Sequence, residues 1–410
     1  MENLKEKIHS EFQTIDFESW KIAAQSTLKN NDIDSLLTKN LSSKITIKSI
    51  YDRSQVTKAF DLSFTEKSPN NKIYSLDNWT DLPCESDLEV AVLIYLIKNS
   101  EKNEQINVRI DPNFFLSIAK FRAIRHILSD LGREDIAIIA NSSLYNKSYS
   151  DVENNLIRLT TEAMSAIIGG ADKVNLLPYN YLRQNDEFGK RITDNILLLL
   201  NEESYLSNVK DPLFGSYLIE NLTAEFVNSV NEINEEISNL DSENRIKELV
   251  LKKCNDYKEQ QLSLLNSQKK KIIGVNIYQN KKDSLAEIEI NSTSNIAEFE
   301  TRKSAIDNIN PKVYLANFTE KSTNQDSLLM ALNTYNIPFQ VSSQFELVED
   351  AFNAIKLFDP DLVIVNGNSD IERILKNMLT DYNITNITEF DNSSILNNID
   401  TVIIKLEVGV

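Results

Sequence analysis

Glycine and histidine are the scarce residues of this chain, and their scarcity excludes whole classes of function. Eight glycines stand in 410 residues, about 2% where ~7% is usual. Loops that cradle phosphate bring the backbone close to the ligand and need clustered glycine. Only Gly169-Gly170 is a pair, and neither G-x-G-x-x-G nor a Walker loop occurs. Histidine is confined to His9 and His126, which argues against metal hydrolases, haem proteins and histidine-based acid–base enzymes. The two cysteines, Cys84 and Cys254, lie far apart in sequence. They read as neither a metal pair nor a disulfide framework, and a reducing cytoplasm is the expected location. No apolar run reaches membrane-spanning length, and the charged start MENLKEKIHS lacks the apolar centre of a signal peptide. Net charge is −18, with lysines scattered among acids, so no basic stripe is available to neutralise phosphates. Neither nucleic acid nor membrane is an expected partner.

What is present is enough apolar material, 41% of residues, for the two or three domains that this length suggests. Residues 1–50 read as an N-terminal arm. Its helical pattern carries Phe12, Phe17 and Trp20, which either tuck onto the parent domain or dock on a partner. Residues 51–268 begin with alternating strands and helices. Strands are expected at 72–77, 106–111, 136–141 and 173–178, with helices at 88–99, 113–131 and 154–168. Such alternation implies a parallel sheet, open or closed into a barrel. From residue 185 the pattern is all helical. One stripe carries Leu222, Phe226, Val230, Ile233, Ile237 and Leu240, and another Ile246, Val250, Cys254 and Tyr257. Residues 269–310 read as a polar linker with one strand-like piece, KKKIIGVNIYQN. Residues 311–410 form a second α/β unit, with strands expected at 312–318, 337–343, 361–367, 384–390 and 401–408. Five strands alternating with helices over about 100 residues is the flavodoxin-like pattern, and its ligand turn should follow the first strand.

An ordered set of segments then carries a resemblance. AKFRAIR (119–125), NNLIRLTTEAMSAIIGGADKV (154–174), DEFGKRITDNILLLLNEES (186–204), DPLFGSYLIENLT (211–223) and IIGVNIY (272–278) together closely resemble methylmalonyl-CoA mutase. The pattern includes Arg158, Glu162, Ala163, Met164, Phe188, Arg191, Asn195 and Glu202-Glu203-Ser204. It continues through Asp211-Pro212, Gly215-Ser216-Tyr217 and Gly274-Val275-Asn276. Trp20 and LKNNDIDSLL in the arm are similar to the family's small, non-catalytic subunit. The resemblance implies a (β/α) barrel for acyl-CoA joined to a flavodoxin-like domain of the cobalamin-binding type. In the family's catalytic chain, the turn after the first strand of that domain carries D-x-H-x-x-G, whose histidine ligates cobalt, with a lysine just upstream. The corresponding positions here are Asn317 for the lysine, Lys321 for the aspartate, Thr323 for the histidine and Asp326 for the glycine. Neither Asn nor Thr replaces an imidazole, and Lys321 reverses the charge beside it. These are degenerate cobalamin-loop positions.

The barrel is short as well. About four strands are legible where eight are implied, and nothing matches the family's G-Y-H-I-R-type or arginine-aromatic segments in the first half. The expectation is therefore an α/β chain with a shortened TIM-type barrel and a degenerate C-terminal domain. It would be the non-catalytic small subunit of an isomerase, with no catalytic, cofactor-binding or metal residues of its own. Its partner would be a large subunit that carries adenosylcobalamin and interconverts (R)-methylmalonyl-CoA and succinyl-CoA. Two alternatives stay open: a stand-alone acyl-CoA-binding or scaffolding protein, and a mutase that holds cobalamin without a protein ligand to cobalt. The remaining polar features have structural readings. Arg122, Arg125 and His126 read as a solvated basic helix face, and Glu202-Glu203 as capping or surface charge. Asp211-Pro212 with Gly215-Ser216 reads as turn chemistry, and Gly169-Gly170 as a helix stop.

Overall fold

The structure, a computed structural model, describes residues 17–28, 38–48, 50–52, 56, 60, 84–99, 105–183, 185–280, 294–320, 323–380, 382, 384 and 386–389. The strands expected at 72–77 and 401–408 lie outside the described residues, as does His9. Among the described residues no helix is long and apolar enough to cross a membrane.

Helix α1 (Phe17–Thr27) carries a Phe17–Trp20 ring pair and buries none of its residues against this chain. A two-stranded antiparallel ribbon follows, β1 (Lys39–Asn40) with β2 (Thr46–Ile47). The first large unit opens with α2 (Ser86–Lys98) and then alternates β3 (Gln105–Arg109), α3 (Phe114–Asp130), β4 (Ala137–Asn141), α4 (Asn154–Ile168) and β5 (Lys173–Asn175). The strands are parallel in the order β3-β4-β5. Their alternation separates two faces. Ile106, Val108, Ile138 and Ala140 enter the main core. On the other face a row of amides crosses all three strands: Asn175 donates to Asn141 and Asn141 to Asn107, each at 3.0 Å.

Helix α3 is capped by Asn113, whose side chain accepts from the Leu116 amide. It is buried almost all round because α2, α4 and the later helix α6 (Tyr217–Ser238) enclose it. Gly169 allows part of this. A Cβ there would stand 2.9 Å from Phe121 Cβ and 3.2 Å from the Ile118 backbone. Helix α5 (Glu187–Leu198) begins at Asp186, which accepts from the Gly189 amide. It runs into a single π-helical turn over Leu199–Glu203, where the sequence pattern had implied one unbroken helix. Glu202 and Glu203 are exposed there. The two helical stripes behave as expected. Leu222, Phe226, Val230, Ile233 and Ile237 of α6 (Tyr217–Ser238) are buried, as are Ile246, Val250 and Cys254 of α7 (Glu243–Asn266).

The second unit is built on β6 (Val313–Asn317), β7 (Phe339–Gln344), β8 (Leu362–Asn366) and β9 (Ile387–Glu389), all parallel in the order β7-β6-β8-β9. VYLAN and LVIVN are buried on both faces, as central parallel strands must be. Val313, Leu315, Leu362 and Ile364 face α8 (Asn295–Ile309) and α9 (Thr323–Thr334). Tyr314, Ala316, Val363 and Val365 face α10 (Val348–Phe358) and α11 (Ser369–Thr380). Part of the segment read as linker is therefore α8, whose Ile296, Phe299 and Ile306 lie in this core together with Leu262 and Leu265 from α7. The polar sequence concealed it because three apolar contacts, rather than a continuous stripe, hold the helix down.

Candidate functional site

Two places gather the residues that the sequence singled out. The first surrounds α4. Glu162 is 3% exposed and accepts from Lys147 Nζ at 2.8 and 3.0 Å and from Asn146 at 2.6 Å. Burial holds the Lys147 ammonium below its usual range, with Glu162 opposing that shift. One turn away, Arg158 donates to Ser148 Oγ, Asn155 Oδ1 and the Ile273 carbonyl. Gly274 is next in chain at φ +81°, and a Cβ there would lie 2.8 Å from Asp151 Cβ. Asn276 ties the same turn, accepting from the Ile272 amide and donating to the Leu265 and Lys270 carbonyls. The IIGVNIY segment is thus a knot that closes on α4 rather than a strand, with only a single bridge between Ile273 and Ile277.

Helix α8 joins the same network through Glu300. Its carboxylate accepts from two successive amides, Tyr149 at 2.9 Å and Ser150 at 2.8 Å. Burial pushes this carboxyl from the ordinary 4.5 up to about 7, against the pull of those amides and of Arg158. The folded chain therefore holds this proton more tightly than the unfolded chain does. The contribution is fully favourable below pH 4.5 and is lost as pH rises through about 7. Glu300→Gln should flatten the stability–pH profile over that window, by up to ~3 kcal/mol. Urea midpoints at acidic and alkaline pH test this, and equal slopes in the two proteins would refute it.

The expected basic face does not exist. Arg122 is wholly buried and donates to Glu220 at 2.8 Å and to Asp211. Arg125 is 7% exposed and pairs with Asp172 at 2.6 Å while donating to the Gly170 carbonyl. His126 packs edge-on against Phe60 with centroids 4.6 Å apart, and lies 3.3 Å from Asp130. Helical spacing puts these cations on α3, but only the surrounding helices decide that the face is interior. The DPLFG turn likewise supplies more than turn chemistry, because Asp211, at φ +41°, is one of Arg122's two carboxylates.

The second place is the carboxyl end of β6 and β8, where the chain crosses to opposite sides of the sheet. Asn317 and Asn366 are register partners there. Asn317 Oδ1 accepts from Gln325 at 2.9 Å and from Asn366 at 3.2 Å, and its Nδ2 donates to the Ser342 carbonyl at 2.9 Å. Thr319 Oγ1 donates to Asn366 Oδ1 at 2.9 Å. Asn317, Gln325 and Asn366 are all buried. The three amides hydrogen-bond to one another at the switch point of the sheet. Of the other degenerate positions, Thr323 opens α9 and Asp326 is exposed on its first turn, while Lys321 lies outside the described residues. Among the described residues, no three His, Cys, Asp or Glu side chains gather as a metal site.

Sequence reasoning missed one cluster. Cys84 packs against the core that holds Cys254, distant in sequence, and Arg109 donates to Cys84 Sγ at 2.7 Å.

Comparison with known proteins agrees with the sequence pattern. The methylmalonyl-CoA mutase family model matches residues 105–350. The chain is 40% identical over 139 residues to a methylmalonyl-CoA mutase small subunit of Porphyromonas gingivalis, covering 31% of this chain and 22% of that protein. It is 32% identical over 142 residues to a probable mitochondrial methylmalonyl-CoA mutase of Caenorhabditis elegans, covering 32% of this chain and 19% of the relative. For a small subunit of Streptomyces virginiae the identity is 33% over 137 residues, covering 32% and 22%. The matched segments thus span about a fifth of these curated relatives. The model match spans more than half of the chain, and the chain belongs to the methylmalonyl-CoA mutase family.

Proposed function

We propose that this chain is a non-catalytic small subunit of an adenosylcobalamin-dependent methylmalonyl-CoA mutase. It supports a large subunit that interconverts (R)-methylmalonyl-CoA and succinyl-CoA. On this reading β3–β5 is the remaining part of a shortened (β/α) barrel, and β6–β9 is a flavodoxin-like domain of the degenerate cobalamin type. The order β7-β6-β8-β9, second-first-third-fourth along the unit, agrees with that topology.

The observation that carries the proposal is the amide cluster Asn317–Gln325–Asn366. It sits between β6 and β8, the switch point at which an open parallel sheet takes its ligand. Its side chains are engaged by each other and by Ser342 and Thr319, an arrangement that supports a site without a corrin. The residues present do not fit adenosylcobalamin: neither histidine of the chain falls in the second unit, and amide and hydroxyl oxygens make poor cobalt ligands. The cofactor is therefore assigned to the partner, and no step of the rearrangement is routed through this chain.

Two surfaces support a protein partner. Helix α1 exposes Ile22 beside the half-buried pair Phe17 and Trp20 and buries none of its residues fully. Leu198, Leu199, Tyr205, Val209, Phe214 and Tyr217 are exposed apolar side chains along one stretch of sequence. Exposed apolar patches of this kind mark interaction sites, and burial of such area stabilises a complex by mass action.

The test is co-expression with a mutase large subunit, followed by absorption spectroscopy of the isolated small chain. We expect the two chains to co-purify, and titration of the isolated chain with adenosylcobalamin to leave the cofactor's spectrum unchanged. Isomerase activity from this chain and the cofactor alone would overturn the proposal. A stable solitary species that never joins a large subunit would overturn it equally.

A further inference from the structure

We propose that the cleft between the knot at 272–279 and the carboxyl end of α9 binds an adenine mononucleotide, its base against Tyr278 and Asn333 and its phosphate at Lys271. The cleft encloses about 550 Å³, within the range of ordinary small-molecule sites. It lies at the amino end of the second sheet. Helix α9 closes on Thr334, and the Pro338 carbonyl that follows accepts from the amide of Val313, the first residue of β6. The amide cluster Asn317–Gln325–Asn366 stands at the opposite end of that strand, so the two places are distinct. No assignment made above uses the cleft.

Its walls are tied together by the protein itself. Gln268 Nε2 donates to Thr334 Oγ1 at 2.9 Å, Gln279 Nε2 to the Thr334 carbonyl at 3.0 Å, and Asn336 Nδ2 to Gln279 Oε1 at 2.7 Å. These bonds join the end of α7 and the knot to the end of α9, so a ligand meets a preformed surface and little ordering cost. Behind the Thr334 wall, Asn266 is wholly buried. Its Oδ1 accepts from the Tyr335 hydroxyl at 2.9 Å, while its Nδ2 has no partner among the described residues. An unpaired buried donor is costly, and this one marks polarity beside the cleft that the surrounding side chains do not satisfy.

The lining selects the ligand. The whole chain carries a net charge of −18, yet among the described residues no carboxylate lines the cleft, and its one charged side chain is the exposed Lys271. A cation without a competing acid suits a phosphate. Tyr278 is 82% exposed at φ +50°, and an exposed aromatic ring offers a face on which a base stacks. Asn333 is exposed beside it, and its amide supplies the donor and acceptor that match the amino and ring-nitrogen edge of adenine. The orientation follows from the helices. Both α7 and α9 end at this cleft, and the negative ends of their dipoles favour an amino group there over a phosphate. The base therefore lies toward α9, and the phosphate toward Lys271 beside the knot.

The experiment titrates the full chain with AMP by calorimetry. We expect a single site that binds AMP and is weakened by added salt. Lys271→Ala should lose at least about tenfold in affinity for AMP and leave adenosine unaffected. Tyr278→Ala should weaken both by at least about tenfold. Both side chains are exposed, and circular dichroism checks that each variant is folded. Should either fail to fold, the unaltered chain decides: AMP must slow acylation of Lys271 by sulfosuccinimidyl acetate and leave the adjacent Lys269 unaffected. Two arms identify the source of the nucleotide, and both support the site. Displacement of AMP by coenzyme A points to an adenine nucleotide carried on a larger molecule, and AMP binding without that displacement points to the free nucleotide. No binding at about millimolar AMP, binding that neither substitution weakens, or inorganic phosphate that competes as strongly as AMP overturns the proposal.

Discussion

Arg122→Met should cost the chain about 3–5 kcal/mol of folding free energy, a large part of the margin of an ordinary domain. The side chain has no exposed surface, and its guanidinium joins three elements. Nη2 reaches Glu220 on α6 at 2.8 Å, Nη1 reaches Asp211 in the preceding turn, and Nε donates to Thr223 at 3.4 Å. Glu220 also accepts from the Gly215 amide at 2.9 Å and from the Phe60 amide at 3.0 Å. Methionine fills most of the volume, so packing changes little. What it leaves behind is the buried Glu220 carboxylate without its guanidinium, and a half-buried Asp211 that loses its contact to Arg122. Arg122→Lys should fail nearly as badly, since an ammonium cannot fork to two carboxylates held apart on different elements. Urea unfolding of the purified variants provides the measurement. A loss below about 1 kcal/mol for Arg122→Met would mean that the carboxylates find other partners or protonate at little cost.

Lys147→Met should be of similar size, about 3–5 kcal/mol, for the same reason at a pair whose acid, Glu162, lies on α4. Lys147 Nζ touches both oxygens of Glu162 and Asn146 Oδ1 at 2.5 Å, and both charged side chains are almost wholly buried. Without the ammonium, Glu162 keeps only the Asn146 amide. The discriminating variant is the double replacement Lys147→Met/Glu162→Leu. Buried pairs replaced together by apolar groups are often neutral, so the double variant should recover most of what the single one loses. A strong coupling energy in that cycle assigns the effect to the stranded charge. Additive losses would assign it to packing and defeat the interpretation.

Both predictions concern residues that the mutase pattern marks only in part. Arg122, Glu162, Asp211 and Glu220 belong to the recognised segments, whereas Lys147 lies outside them and carries no signal of its own beyond being charged. The sequence pattern records that a carboxylate is required at a position. It does not name the cation that a distant element will place against it. The same limit explains the basic face that proved to be interior. A spacing of three and four residues puts Arg122, Arg125 and His126 on neighbouring sides of α3, but whether that surface meets water depends on α2, α4 and α6.

Strand–helix alternation, the two apolar stripes, the ends of α4 and the family itself were legible in the residues alone. These follow from local periodicity and from ordered motifs, which are properties of the chain read in one dimension. The helix over Asn295–Ile309 was not legible, because few apolar contacts hold it and its polar sequence resembles a linker. The resemblance also implies that the turn after β6 carries Lys321 and Thr323 where the family pattern has an aspartate and a histidine. Only the tertiary structure decides that Asn317, Gln325 and Asn366 hydrogen-bond to one another, and that Arg109 donates to Cys84. Composition and spacing record which groups a chain has. Which groups lose water together, and so must answer each other's charge, is settled only when distant segments pack.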